Sequence, residues 1–145
     1  SLSSAELPRQ WFRDSVKYAL LYHPYQPIVQ GGPGRFRLVS AAVPNDPENV
    51  PTSMEWLIKE EGGIWSLGFS SEGADIIFIK NSMKPLKFEY LVQEDWQTFF
   101  SPEDSRLPTA VRIREGFDNW ALAVPGRPVR ADMPQELALF GEYDF

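Results

Sequence analysis

The chain has 145 residues, with 14 Lys+Arg against 20 Asp+Glu, a formal charge of −6 and a pI near 4.8. Its 43% apolar and 14% aromatic content supports one folded domain over residues 1–145, burying roughly 70% of the unfolded surface at this length, and so excludes a disordered chain. The absence of Cys excludes disulfide scaffolds, thiol catalysis, iron–sulfur clusters and zinc ribbons, and the acidic balance argues against nucleic acid as a partner, because gripping phosphates requires Lys and Arg.

The first expected element is a helix over residues 4–22. Ser4 can cap it, Glu6 suits the first turn, and Pro8 is tolerated near a helix start. Leu7, Trp11, Ser15, Tyr18 and Tyr22 fall on one arc and Phe12, Val16 and Ala19 on the adjoining one, while Arg9, Arg13 and Lys17 form an i, i+4 ridge opposite. An apolar arc spanning about half the circumference is wide for a helix covering a single sheet, and can serve a core and a partner together.

Pro24 and Pro27 end the helical pattern. The turn Gly31-Gly32-Pro33-Gly34 then leads into strand-like texture, with strands expected at 35–42, 53–59, 64–70, 75–80, 86–92, 96–100, 110–114 and 120–124. Turn chemistry separates them at Pro44-Asn45-Asp46-Pro47, Glu61-Gly62-Gly63, Glu72-Gly73 and Asn81-Ser82. Met54, Trp56 and Ile58 alternate with Glu55, Leu57 and Lys59, and Leu86, Phe88, Tyr90 and Val92 alternate with Lys87, Glu89, Leu91 and Gln93, the habit of antiparallel strands with one buried face. The unbroken apolar run Ile76-Ile77-Phe78-Ile79 predicts a strand covered on both faces, one of them by the N-terminal helix. Residues 126–145 read as an irregular, acidic and aromatic tail. One helix followed by about eight strands is an α+β fold with segregated elements.

Catalytic hardware is sparse. His23 is the only histidine, and at a helix C-terminus it reads as a dipole-stabilising residue rather than a base or ligand. Glu60/Glu61, Glu94/Asp95 and Glu103/Asp104 are sequence neighbours in turn-like settings, whereas carboxylate catalysis needs two groups placed across a cleft. Neither Glu94-Asp95 nor Asn45-Asp46 with Glu48 matches a calcium loop. The Gly31–Gly34 turn precedes a strand and lacks the Lys-Ser/Thr of a phosphate loop. Trp56, Trp96 and Trp120 sit in strand-like settings, where core packing is the default over sugar stacking. No metal site and no cofactor are expected.

The stretch Lys84-Pro85-Leu86-Lys87-Phe88-Glu89-Tyr90-Leu91, then Trp96, then Leu107-Pro108-Thr109-Ala110-Val111-Arg112-Ile113 resembles the J-type minor pseudopilins of type II secretion. Phe88, Tyr90, Leu91, Trp96, Leu107, Pro108, Ala110 and Val111 take the places of that family's motif, and their physical sense is structural. Phe88, Tyr90 and Val111 are expected to share a core, and Pro108 at the first residue of a strand gives up no ladder hydrogen bond.

The resemblance implies a pseudopilin fold, with residues 1–23 as the C-terminal part of a pilin-type spine helix packed on antiparallel sheets, residues 35–125 as the β-rich region, and an apolar membrane-spanning segment ahead of Ser1. It also implies a non-enzymatic subunit at the tip of a periplasmic pseudopilus, anchored through the inner membrane. The implied partners are the I- and K-type minor pseudopilins, the major pseudopilin and secreted cargo, met through Leu7, Trp11, Phe12, Ser15, Val16 and Tyr18, which are core candidates as well. The chain leaves open a minor pilin of a type IV pilus, a secreted carbohydrate- or peptide-binding β-domain, and a hydrolase using paired carboxylates.

Overall fold

The computed structural model describes residues 6–20, 30–101 and 108–126. Two antiparallel sheets enclose the core. The five-stranded sheet is a meander of β1 (Gln30–Gly31), β2 (Arg35–Ser40), β3 (Thr52–Glu61), β4 (Ile64–Ser71) and β5 (Ile77–Ser82), each strand pairing with the next. The four-stranded sheet contains β6 (Leu86–Val92), β7 (Asp95–Gln97), β8 (Ala110–Glu115) and β9 (Asp118–Ala123), in the order β7-β6-β8-β9. One helix, α1 (Glu6–Lys17), precedes them.

This arrangement corrects the expected fold class. The described chain is mostly β, two sheets with one short helix, and not a pilin-type spine helix packed on a sheet. The helical periodicity that suggested residues 4–22 is overridden at Tyr18 by strand edge pairing. Leu20 N donates to Val39 O at 2.9 Å, Ala41 N donates to Tyr18 O at 3.0 Å, and Ala19 bridges Ser40. Residues 18–20 thus satisfy their backbone on the end of β2 instead of continuing the helix.

The core forms where the inward rows of both sheets meet α1. Phe36, Trp56 and Phe69 are cross-strand neighbours on the five-stranded sheet, and Phe88, Ile113 and Ala121 are neighbours on the four-stranded one. Phe12 enters between them, fully buried, with its ring 5.4 Å from Trp56, 6.3 Å from Phe36 and 6.4 Å from Phe88. Trp56, Ser15 and Ser40 satisfy their buried polar groups at the same turn of helix. Trp56 Nε1 donates to Ser15 Oγ at 3.0 Å, Ser15 Oγ donates to Phe12 O at 2.8 Å, and Ser40 Oγ donates to Ser15 O at 2.7 Å.

A second seam joins the sheets at their other margin. Phe88 N donates to Pro33 O at 2.9 Å, and the Tyr90 hydroxyl donates to Gly32 O at 2.8 Å. The glycine-rich segment expected as a turn therefore begins with an edge strand, whose Gly31 also bridges Phe100. A Cβ at Gly31 would overlap the Tyr90 ring, so the residue is Gly because an aromatic side chain lies against its backbone. Diversion of Phe100 to Gly31 also shortens the strand expected at 96–100 to Asp95–Gln97.

The run around Ile77 is corrected too. It forms an edge strand, starting at Ile77, with Ile77 50% and Phe78 48% exposed. The helix lies instead against β9, where Arg9 Nε donates to Trp120 O at 2.7 Å.

Phe12→Ala is expected to cost about 3–5 kcal/mol, the range for truncating a fully buried Phe, read as a lowered urea midpoint with the m-value unchanged. A loss below about 1 kcal/mol would mean that the helix does not complete the core.

Candidate functional site

Most of the apolar face of α1 is committed to the fold. Phe12, Ser15 and Val16 are buried, and Trp11 is half-buried with its ring edge-on to Phe69 at 6.2 Å. Of the six residues expected to meet partners, Leu7 and Tyr18 are the exposed ones, at 40% and 50%. The basic ridge is engaged as well. The Arg9 guanidinium lies 5.2 Å over the Trp120 ring and 2.7 Å from Glu6, Arg13 lies 3.8 Å from Glu6, and Lys17 Nζ lies 5.3 Å from the Tyr18 ring.

The motif residues divide between the two faces of the four-stranded sheet. Phe88, Tyr90 and Val111 are buried in the shared core, as expected. Pro108 is buried two residues ahead of β8, with Thr109 N donating to Leu91 O at 2.8 Å, and Leu107 lies outside the described residues. Leu91 pairs with Trp96 on one side and Ala110 on the other. That row belongs to the outer face, where alternation also puts Lys87 and Glu89.

The outer face is organised by Glu89. In register with Arg112, which is in register with Leu122, Glu89 Oε1 accepts from Arg112 Nε at 2.8 Å and pairs with Nη2 at 2.7 Å. Lys87 Nζ lies 3.2 Å from Oε2, and Arg114 Nε lies 4.0 Å from Oε1. The Arg112 guanidinium is 3.9 Å from the centre of the Trp96 ring, a planar cation stacked on an aromatic face. Arg112 and Glu89 side chains are only 17% and 12% exposed. Burial by itself would raise the Glu89 pKa, but hydrogen bonds and positive charge from Arg112 and Lys87 outweigh it and hold the carboxyl below its ordinary value.

The hairpin presenting Trp96 is strained. Gln93 and Glu94 adopt φ of 49° and 74° in the two-residue connection between β6 and β7, positions where such turns favour Asn and Gly. This Glu94 is therefore a turn residue, with Asp95 beginning the next strand.

The other chemical candidates do not converge. Glu60 and Glu61 are adjacent on β3 and so point to opposite faces, and Glu60 accepts from Gly63 N at 2.9 Å. Asp46 accepts from Glu48 N at 3.0 Å within a turn. Trp56 and Trp120 are core residues. His23, Glu103 and Asp104 lie outside the described residues, as does most of the expected tail, from residue 127 onward. Among the described residues, no group of three or more His, Cys, Asp or Glu could hold a metal ion, and no helix is long and apolar enough to cross a membrane. On the outer face of the five-stranded sheet, Arg35 and Arg37 reach Glu55 at 3.2 and 3.5 Å and line a shallow depression with Gly32 and Phe99. That trio is far more exposed than the Glu89 cluster.

Sequence reading missed Arg112 and Glu89 as a pair. The alternation of β6 put Glu89 outward, but the residue opposite it depends on the β6–β8 register across 23 residues of chain.

Two outcomes test the cluster. Because the Glu89 pKa is lower in the folded than in the unfolded state, its ionised form contributes stability at neutral pH. That contribution is lost as pH falls through the carboxylate range, about 4 and below. Glu89→Gln is therefore expected to lower the urea midpoint at pH 7 and to differ less from the parent at pH 3. Replacing the turn with Asn-Gly (Gln93→Asn with Glu94→Gly) is expected to raise stability by about 1 kcal/mol, read as a higher midpoint.

Compared with family models, curated proteins and solved structures, the chain matches none.

Proposed function

We propose that this chain is a non-enzymatic protein-assembly domain: the periplasmic domain of a J-type minor pseudopilin, acting at the tip of a type II secretion pseudopilus with the I- and K-type minor pseudopilins. The choice of system and partners rests on the sequence motif of residues 84–113. The reading uses no pilin-type packing of a spine helix, because the observed sheets replace it.

The observation that carries the assembly role is the preorganised Trp96–Arg112 pair on the outer face of the four-stranded sheet. Trp and Arg are the residue types that dominate binding energy at protein interfaces, and they do so when held rigid and flanked by apolar surface. Here Glu89 fixes the guanidinium, the Trp96 ring supports it from one side, and the half-exposed Leu122 adjoins it in the same row. The ordering cost of a long arginine is already met before a partner arrives. Leu7 on the helix and Tyr18 just past its end are exposed as separate candidate contacts.

The test is capture by purified I- and K-type minor pseudopilins, with the affinity measured by titration calorimetry. Arg112→Ala is expected to weaken the complex by about 2 kcal/mol, roughly 30-fold in Kd, whereas Arg37→Ala on the opposite sheet leaves it within about twofold. Absence of any complex at micromolar concentrations would overturn the choice of partners. A complex indifferent to Arg112→Ala would overturn the choice of face.

A further inference from the structure

Two loops meet at one end of the molecule and present the most exposed large apolar side chains among the described residues. Met83, between β5 and β6, is 84% exposed, and Phe117, at the tip of the β8–β9 hairpin, is 96% exposed. The loops are braced together. Gly116 N donates to Pro85 O at 2.8 Å, and a Cβ at Gly116 would lie only 3.3 Å from the Lys84 side chain. The hairpin tip is also held from below, where Arg114 Nη2 donates to Phe117 O at 2.8 Å and Nη1 donates to Asn119 Oδ1 at 2.9 Å.

An exposed Phe at a cross-braced tip loses little freedom on binding but stays in contact with water until something covers it. The charge around it narrows what that is. In a chain of net −6, this end and the adjoining faces carry Lys59, Lys80, Lys84, Lys87, Arg112 and Arg114 against Glu60, Glu61, Glu89, Glu115 and Asp118, six cations against five carboxylates once the β3–β4 hairpin end beside Ser82 is included. Glu115 is taken by Lys80 at 3.1 Å and Glu89 by Arg112 and Lys87. Lys84 follows Met83 in the chain, its side chain lies beside Gly116, the neighbour of Phe117, and it is exposed.

We propose that this tip docks on an anionic lipid surface, with Phe117 and Met83 entering the headgroup–acyl boundary and Lys84 and Lys87 meeting the headgroups. A fluid interface accepts protruding side chains without a matched pocket, and cations flanking inserted apolar residues add attraction to anionic lipid. This proposal is independent of the secretion reading; its apolar contacts lie on the loops and not on the Trp96–Arg112 pair, while Lys87 belongs to the Glu89 cluster as well.

The test is cosedimentation of the 145-residue chain with vesicles of phosphatidylcholine alone and with 30% phosphatidylglycerol. Binding is expected to the anionic vesicles, to fall at least tenfold in Met83→Ser/Phe117→Ser and in Lys84→Glu/Lys87→Glu, and to weaken with salt. The variants are to be matched to the parent by thermal melting before comparison. Failure of the parent to bind anionic vesicles would overturn the proposal, as would binding that the Phe117 variant leaves unchanged. Capture of a protein partner that needs Phe117 but involves no vesicle binding would also overturn it, assigning the tip to a protein pocket instead.

Discussion

One turn of helix, Phe12 to Val16, is the element on which both sheets depend. The Trp56 indole is buried and needs an acceptor, and Ser15 Oγ supplies it. Leaving such a donor unpaired costs about 1–3 kcal/mol, so the helix is positioned by a polar requirement as well as by burial of Phe12. Ser40 then donates to the carbonyl of the same Ser15, tying the helix to β2 where residues 18–20 leave the helical path. Arg9 ties it to β9 through the Trp120 carbonyl. The helix is thus a strut between two sheets that also meet directly, through Pro33–Phe88, Gly32–Tyr90 and Lys80–Glu115 and through the Phe36 ring against Phe88 and Tyr90.

That commitment shapes where partners can be met. A helix whose apolar arc fills its own core leaves Leu7, with Tyr18 just past its end, as exposed apolar side chains, so the proposed assembly role falls to the sheets and loop ends. The outer face of the four-stranded sheet holds a charged and aromatic cluster fixed by Glu89. The adjoining loop end holds two apolar side chains on a rigid base. Strain at Gln93 and Glu94 accompanies the first of these, consistent with a turn kept for the geometry it imposes on Trp96 rather than for its conformational ease.

Much of the β architecture was legible because it is local. The strand 86–92 has the same limits in sequence and structure, since its alternation of Leu86, Phe88 and Tyr90 with Lys87, Glu89 and Leu91 reports one buried face directly. Where long-range contacts decide, the sequence was silent or misleading. The helical period continues past Lys17, but pairing with β2 wins. The run at Ile77 has the composition of a covered strand, yet its place at the sheet margin is set by topology, and a Gly68 side chain would collide with it. Gly31 read as a turn because nothing in its neighbours announces a tyrosine 59 positions later. The Arg112–Trp96 stack needs two strand registers at once. The pilin-type spine, carried by resemblance alone, gave way to the sheets for the same reason.

The claim that α1 is integral to both sheets is tested most directly by native-state hydrogen exchange on the full chain. The account predicts that the amides of Ser15 and Val16 exchange with the same opening free energy and denaturant dependence as those of Trp56 on β3 and Ile113 on β8, as one cooperative unit. Helix amides that open at markedly lower free energy, while both sheets stay protected, would show the helix to be an accessory to a core that the sheets complete by themselves.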